Sequence, residues 1–356
     1  MWPDRRILDL FGIDIPIVQA PMAGANLAEM VIAVSEAGGL GSLPCALLSP
    51  ERAREELAKV RQGTKRPINV NFFCHEPPEV GDGWEAAWKR RLASYYGEFG
   101  LDPDAPTPSS SRAPFDEAYL GLVEEFRPEV VSFHFGLPRP ELLARVKRTG
   151  AKVISSATTV AEARWLEREG CDAIVAQGFE AGGHRGIFLS EDVATQVGTM
   201  ALVPQVADAV SVPVIAAGGI ADGRGTAAAF ALGASAVQIG TAYLFAPEAT
   251  IAPAHRAALK SARDDGTALT NVFTGRPARS IVNRMVREVG PLSDIAPPFP
   301  LAGGALLPLR QATEPGGSGD FMSLWSGQAA PLGRELSAGE LTRRLAEEAL
   351  TRLRRG

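Results

Sequence analysis

The stretch Gln177-Gly-Phe-Glu-Ala-Gly-Gly-His-Arg-Gly186 places one imidazole, His184, in a loop dominated by glycine. An imidazole titrates near neutrality, so His184 can take an α-proton as a general base or, as imidazolium, hold an anion. Glycine is the residue that tolerates positive φ and close approach of a ligand to the main chain. A side chain projecting from so bare a loop therefore reads as functional rather than as packing. Glu180 and Arg185 flank it and read as a pair that holds the loop. His134 ends a second apolar run, Val130-Val-Ser-Phe-His134, and two readings stand side by side: substrate contact, or burial among its neighbours. His75 and His255 fall in an excursion and in a surface-like helix, and read as solvated.

Two further glycine-bearing stretches, Ala216-Ala-Gly218-Gly219 and Gln238-Ile239-Gly240-Thr241, each close an apolar run and precede a helical pattern. Bare backbone N–H groups ahead of a helix N-terminus form an anion cradle, and two such loops side by side suit a phosphate. Ala20, Pro21, Met22, Asn69, Asn71, Ser155, Ser156 and Gln177 occupy the ends of other apolar runs. Small residues and neutral amides suit a flat, hydrogen-bonding heteroaromatic such as a flavin, with Met22 and His134 as candidate substrate contacts. No acidic cluster calls for a metal, and no Gly-x-Ser-x-Gly elbow is present.

To bring these loops to one rim, the strands that carry them must run parallel. Short β-branched runs at about 13–20, 40–43, 67–73, 130–135, 152–156, 172–176, 212–217 and 236–241 alternate with helical patterns, which requires helical crossovers between parallel strands. Eight such units predict an α/β fold, a closed (β/α)8 barrel whose ligand sits at the C-terminal strand ends. A doubly wound open sheet is the alternative, but it would carry its glycine fingerprint at the first strand, where only Ala20-Pro-Met-Ala-Gly24 stands. Asn26 is expected to cap the first barrel helix, Ser49 the second, and Thr158 or Thr159 a later one. Residues 1–247 are expected to form the barrel, with a Pro/Gly/Ser-rich excursion at 75–115 holding a helix near 83–96. Residues 248–356 read as an extension of helix and loop, including 249–262, 276–287 and a final helix at 337–355, packed on the barrel and covering the site.

Composition narrows the partners. With 46% hydrophobic and 22% charged residues and a formal net charge of -5, the chain lacks the basic footprint of a nucleic-acid or anionic-membrane binder, and a small diffusible substrate is expected. Three scattered cysteines fit neither a disulfide framework nor a zinc site and point to a reducing cytoplasm. Residues 226–247 are uncharged and long enough to span a bilayer, but Gly233-Ala-Ser235 splits them into a helix and a strand. Oligomeric state is not written in the sequence.

With these residues laid out, the chain resembles the nitronate monooxygenase (2-nitropropane dioxygenase) family, bacterial-type class I. The resemblance runs from about residue 15 to 287 and more loosely to 332. It rests on Gln19-Ala-Pro-Met-Ala-Gly24, Asn69-Val-Asn71, His134-Phe-Gly-Leu-Pro138, Ser155-Ser-Ala-Thr158, the long 177–186 motif, Val214-Ile-Ala-Ala-Gly-Gly219 and Gln238-Ile-Gly-Thr241. It implies non-covalent FMN contacted by Ala20, Pro21, Met22, Asn71, Gln177, Gly182, Gly183, Gly218, Gly219, Gln238, Ile239, Gly240 and Thr241, with His184 catalytic. The implied reaction takes an alkyl nitronate such as propionate 3-nitronate and O2 to a carbonyl compound and nitrite. An FMN-dependent NAD(P)H reductase of the enoyl or quinone type on the same barrel is the alternative. The Ser323-Leu-Trp-Ser-Gly-Gln-Ala-Ala330 stretch also resembles the family and either closes over the site or packs as a C-terminal excursion.

Overall fold

The computed structural model describes residues 1–79, 83–108 and 112–354. Eight parallel strands form the centre: β1 (Ile17–Gln19), β2 (Gly41–Pro44), β3 (Ile68–Phe73), β4 (Val130–His134), β5 (Lys152–Ala157), β6 (Ala173–Gln177), β8 (Val214–Ala217) and β9 (Ala236–Ile239). Between β6 and β8 lies the two-residue β7 (Gly183–His184). The central order is β1-β9-β8-β6-β5-β4-β3-β2, and a parallel bridge from Val18 to Leu40, beside β2, joins the two edges. Main-chain bonds of 2.9 Å from Gln19 to Leu40 and from Leu40 to Ile17 close the ring, so the open sheet is excluded.

Helices fill the crossovers much as their start signals indicate. Ser49 accepts from Arg52 N ahead of Pro50, and Thr159 from Glu162 N. Asn26 departs from expectation. The helix begins at Ala28 with Leu27 as its N-cap, while the buried Asn26 side chain accepts from Met22 N at 3.1 Å and donates to Ser42 O at 2.9 Å. Its hydrogen-bonding capacity goes to fastening the β1 loop onto β2. The 226–247 stretch is helix Gly223–Ala231 followed by β9, and no helix among the described residues is long and apolar enough to cross a membrane.

The C-terminal helix, Ala338–Leu353, packs against helices Gly223–Ala231 and Ala28–Glu36. Gly223 allows this approach, since a Cβ there would stand 2.3 Å from Glu348 Cβ, and Tyr243 Oη bonds Thr342 Oγ1 at 2.7 Å. That helix thus occupies a place in the helical ring of the barrel. The excursion after β3 and the chain beyond β9 share a separate hydrophobic cluster, in which Trp88, Tyr95 and Tyr96 pack with Val272, Met285, Leu309 and Phe321. Trp88 Nε1 donates to Ala302 O at 3.0 Å and Tyr96 Oη to Ala305 O at 2.7 Å.

The 276–287 stretch, read as helix and loop, instead contributes a strand. β10 (Thr267–Thr270) and β11 (Ala278–Ile281) pair antiparallel, and β11 pairs with β7 at Ala278–His184 and Arg279–Gly183. Only Arg284–Glu288 is helical there. β7, one of the two partners of β11, lies almost one hundred residues earlier, so that pairing leaves no local signal in the sequence.

Candidate active site

A cavity of about 340 Å³ opens at the C-terminal ends of the barrel strands. Ala20, Pro21, Met22, Asn71, His134, Gln177, Gly182, Gly183, His184, Gly218, Gly219, Gln238, Gly240 and Thr241 all line it. Ile239 does not: its side chain is 1% exposed inside the barrel core, because neighbouring strand residues face opposite sides. Its carbonyl accepts from Ala20 N at 2.8 Å, so it fixes the β1 loop instead.

The floor is a chain of neutral polar groups. Gln19 Oε1 accepts from Ser42 N at 2.9 Å, Asn69 Nδ2 donates to Ser42 Oγ and Ser132 Oγ, and Asn71 Nδ2 donates to Ser132 Oγ at 2.9 Å. Asn69 Oδ1 is buried with no partner among the described residues.

The 177–186 loop is fixed from several directions. Arg185, fully buried, donates to Gln177 O at 3.0 Å, Gly178 O at 2.9 Å and Gln196 Oε1 at 2.8 Å. Burial pulls its pKa down to about 10. Glu180 instead accepts from Thr199 N and Oγ1, both at 2.8 Å through Oε2. The two flanking residues therefore hold the loop, but through different partners rather than by pairing. Gln177 spans it, its Nε2 donating to His184 O at 3.0 Å and its Oε1 accepting from Gly186 N at 2.7 Å.

His184 Nε2 lies 2.9 Å from Thr274 Oγ1, and that hydroxyl donates to Arg276 O at 3.4 Å. Thr274 Oγ1 is so placed that it can accept from His184 Nε2–H, the tautomer that leaves the lone pair on Nδ1. Phe299 and Trp325 stand with ring centroids 5.3 Å from the imidazole, and Phe73 and Phe135 about 6 Å away at 6.1 and 6.0 Å. Burial in this aromatic wall holds the His184 pKa well below the usual histidine range, and the positive charges of Arg112 and Arg276 act in the same direction. The imidazole is thus neutral at pH 7, a base rather than a preformed cation.

His134 donates from Nε2 to His184 O at 3.2 Å, and Ser156 Oγ lies 3.1 Å from its Nδ1. Burial pushes its pKa down to about 3. Next to it, Phe135 has φ +71°, a strained value for a bulky residue, with Arg276 stacked 4.0 Å above its ring.

Two histidines expected in solvent are buried. His75 is 7% exposed with its ring 4.8 Å from Phe299. His255 is 6% exposed and donates from Nε2 to Trp325 O at 3.1 Å. Both are covered by chain beyond β9, which local sequence does not reveal. The same chain supplies Thr274, Phe299 and Trp325, of which only Trp325 belonged to a recognised motif.

At the glycine pair, helix Gly223–Ala231 is already capped, with Asp222 Oδ1 accepting from Arg224 N and Gly225 N. Asp222 thus takes two of the N–H groups at that helix terminus, and the loop at Gly218 (φ +108°) and Gly219 (φ +71°) lines the cavity. The 323–330 segment closes over the site: Gly327 N donates to Thr241 Oγ1 at 2.9 Å and Gln328 N to Glu180 O at 3.0 Å.

Residues 4–348 match the family model described as nitronate monooxygenase. A nitronate monooxygenase from Pseudomonas aeruginosa is 44% identical over 96% of this chain and 98% of its own length. One from Paraburkholderia phytofirmans is 41% identical over 97% and 94%. Among solved structures, nitroalkane oxidase from Streptomyces ansochromogenes superposes with a TM-score of 0.88 at 40% identity, over 97% of this chain and 98% of that one. FabK from Thermotoga maritima superposes at 0.76 with 29% identity, over 100% and 98%.

Proposed function

The chain belongs to the nitronate monooxygenase family, and from that premise we propose that it oxidises alkyl nitronates with O2 to a carbonyl compound and nitrite, using FMN held without a covalent link. Family membership implies a flavin, and the cavity suits one. Its floor offers neutral amides, its walls offer bare glycine backbone, and a Cβ at Gly182 would meet Gly327 N at 2.4 Å, so the cover seats only over glycine. Asn71, Gln177 and Gln238 would face the ring system, and Gly218, Gly219, Gly240 and Thr241 the phosphate end. When bound, the flavin supplies a two-electron acceptor that O2 can reoxidise.

The observation that carries the reading is a buried His184, its pKa held well below the usual histidine range, lining a cavity whose described residues include no Asp or Glu. A nitronate is an anion and enters such a cavity without like-charge repulsion. When the substrate arrives as the neutral nitroalkane, His184 Nδ1 takes the α-proton and Nε2–H stays on Thr274. Phe73, Phe135, Phe299 and Trp325 keep water from the reacting carbon and orient the imidazole.

Residues 1–247 are proposed as the FMN-binding barrel and 248–356 as the extension that covers it and lends the ring its last helix. The free thiols Cys45, Cys74 and Cys171 fit action in the reducing cytoplasm. The test is the visible absorbance of the purified protein under anaerobic conditions, titrated separately with propionate 3-nitronate and NADH. Bleaching by the nitronate and not by NADH is expected; bleaching by NADH alone would move the chain to the reductases. Mass spectrometry of flavin released by heat separates FMN from FAD.

A further inference from the structure

Resting on the reading of this cavity as a nitronate site, we propose that Glu162 is a positioning residue for the reaction. From a helix outside the barrel sheet it sets the main chain of the 177–186 loop, and through that loop His184, by way of Thr158, Gln196 and Arg185.

Glu162 stands in the first turn of helix Val160–Arg168, which follows β5, and is 1% exposed. Thr159-Val-Ala-Glu162 has the spacing of a capping box, in which the glutamate would turn back to the main-chain N–H of the cap residue. Thr159 does cap, its Oγ1 accepting from Glu162 N at 3.2 Å, but the carboxylate reaches past its own helix. Oε1 accepts from Phe188 N at 2.7 Å and Leu189 N at 3.3 Å, and Oε2 from Thr158 N at 2.6 Å and Thr158 Oγ1 at 2.7 Å. Phe188 and Leu189 lie just beyond Gly186, so Glu162 holds the exit of the loop directly.

A second line runs from the same carboxylate to Arg185. Thr158 Oγ1 accepts from Gln196 Nε2 at 2.9 Å, Gln196 Oε1 accepts from Arg185 Nε at 2.8 Å, and Arg185 donates onward to Gly178 O at 2.9 Å and Gln177 O at 3.0 Å. The direction of this line is fixed at both ends, because a guanidinium only donates and a carboxylate only accepts. Thr158 therefore gives its hydroxyl proton to Glu162, and Gln196 turns its oxygen to Arg185. A buried network with every member satisfied holds a single geometry. The opposite charges acting on the buried Arg185 are Glu180 and Glu162, and Glu180 is engaged with Thr199. Gln177 passes the geometry to the site, its Nε2 holding His184 O and its Oε1 holding Gly186 N. The loop has little slack, since a Cβ at Gly186 would stand 2.9 Å from Ser156 Cβ and 3.1 Å from His134 Cε1.

Glu162→Gln puts a donor where Thr158 N and Oγ1 already donate, and Thr158→Val cuts the line to Gln196 while leaving the bonds to Phe188 and Leu189. In either holoprotein, turnover of a neutral nitroalkane per bound flavin should fall roughly tenfold or more, the scale for one buried hydrogen-bonding group left unpaired. Turnover of the corresponding nitronate should fall less, because that substrate already lacks the α-proton. The imidazole nitrogen NMR resonances of His184, followed after isotopic labelling of histidine, should shift in both variants. Adding Gln196→Glu to Glu162→Gln should recover part of the loss, since the new carboxylate accepts from both Arg185 and Thr158 Oγ1; a packing role would gain nothing from that change. Equal loss on both substrates per flavin with the His184 resonances unmoved, or full nitroalkane turnover in Thr158→Val, would overturn the assignment. A wild type that turns over neither substrate would overturn the nitronate reading alone, and the His184 resonances would then decide the role of Glu162, a shift upholding it and constancy overturning it.

Discussion

His134 Nε2 donates to the backbone carbonyl of His184 at 3.2 Å, so one rim histidine holds the other by its main chain instead of acting beside it. His134→Gln should therefore behave as a positioning variant. Losing one of two donors to that carbonyl, with Gln177 still in place, costs about 1 kcal/mol. Urea unfolding should show that loss, and kcat on nitronate should fall roughly tenfold with flavin content unchanged. A change in the pH profile as large as that from altering His184 would instead make His134 a participant.

His184→Asn separates base from binding. A general base contributes on the order of 100-fold or more, so turnover of neutral nitroalkanes should fall by at least that factor, while nitronates, which already lack the α-proton, lose less. Full nitroalkane activity with FMN retained would rule out the base role. Thr274→Val, which removes the acceptor for Nε2–H, should lower nitroalkane activity in the same direction by leaving the tautomer unspecified.

Gly182→Ala should loosen the cover. The added Cβ would meet Gly327 N at 2.4 Å and Ser326 C at 2.6 Å, backbone atoms that cannot turn aside, and overpacking of this kind costs roughly 1–3 kcal/mol. The expected result is a lower Tm and easier loss of flavin on gel filtration, with barrel circular dichroism intact.

Acid should destabilise the protein below the usual histidine pKa. All four histidines have depressed pKa values, His75 and His255 down to about 4 and His134 to about 3, with burial as the leading cause, and His184 lies well below its usual range for the same reason. The unfolded chain binds these protons from pH 6.5 downward and the folded chain does not, so stability is full above 6.5 and falls as pH decreases toward 4. Four such groups give a slope of up to about 5 kcal/mol per pH unit. Urea denaturation at pH 7, 6 and 5 measures it; a flat dependence would show that the imidazoles titrate in the native state.

By itself the sequence determined the barrel and the identity of its rim. Strand and helix periods are local, and parallel strands must bring their C-terminal ends together, so His184, Asn71, Gln177 and the glycine pairs converge wherever the eight units close. Tertiary structure decided what surrounds that rim. β11 pairs with β7 across almost a hundred residues, and the chain beyond β9 brings Thr274, Phe299 and Trp325 over the imidazole while burying His75 and His255. Those contacts join segments whose local patterns read as loop and surface, because burial by a distant segment leaves no period in the residues it covers. The electrostatic state of His184 belongs to this second class: its neutrality follows from desolvation by an aromatic wall that only the folded chain assembles.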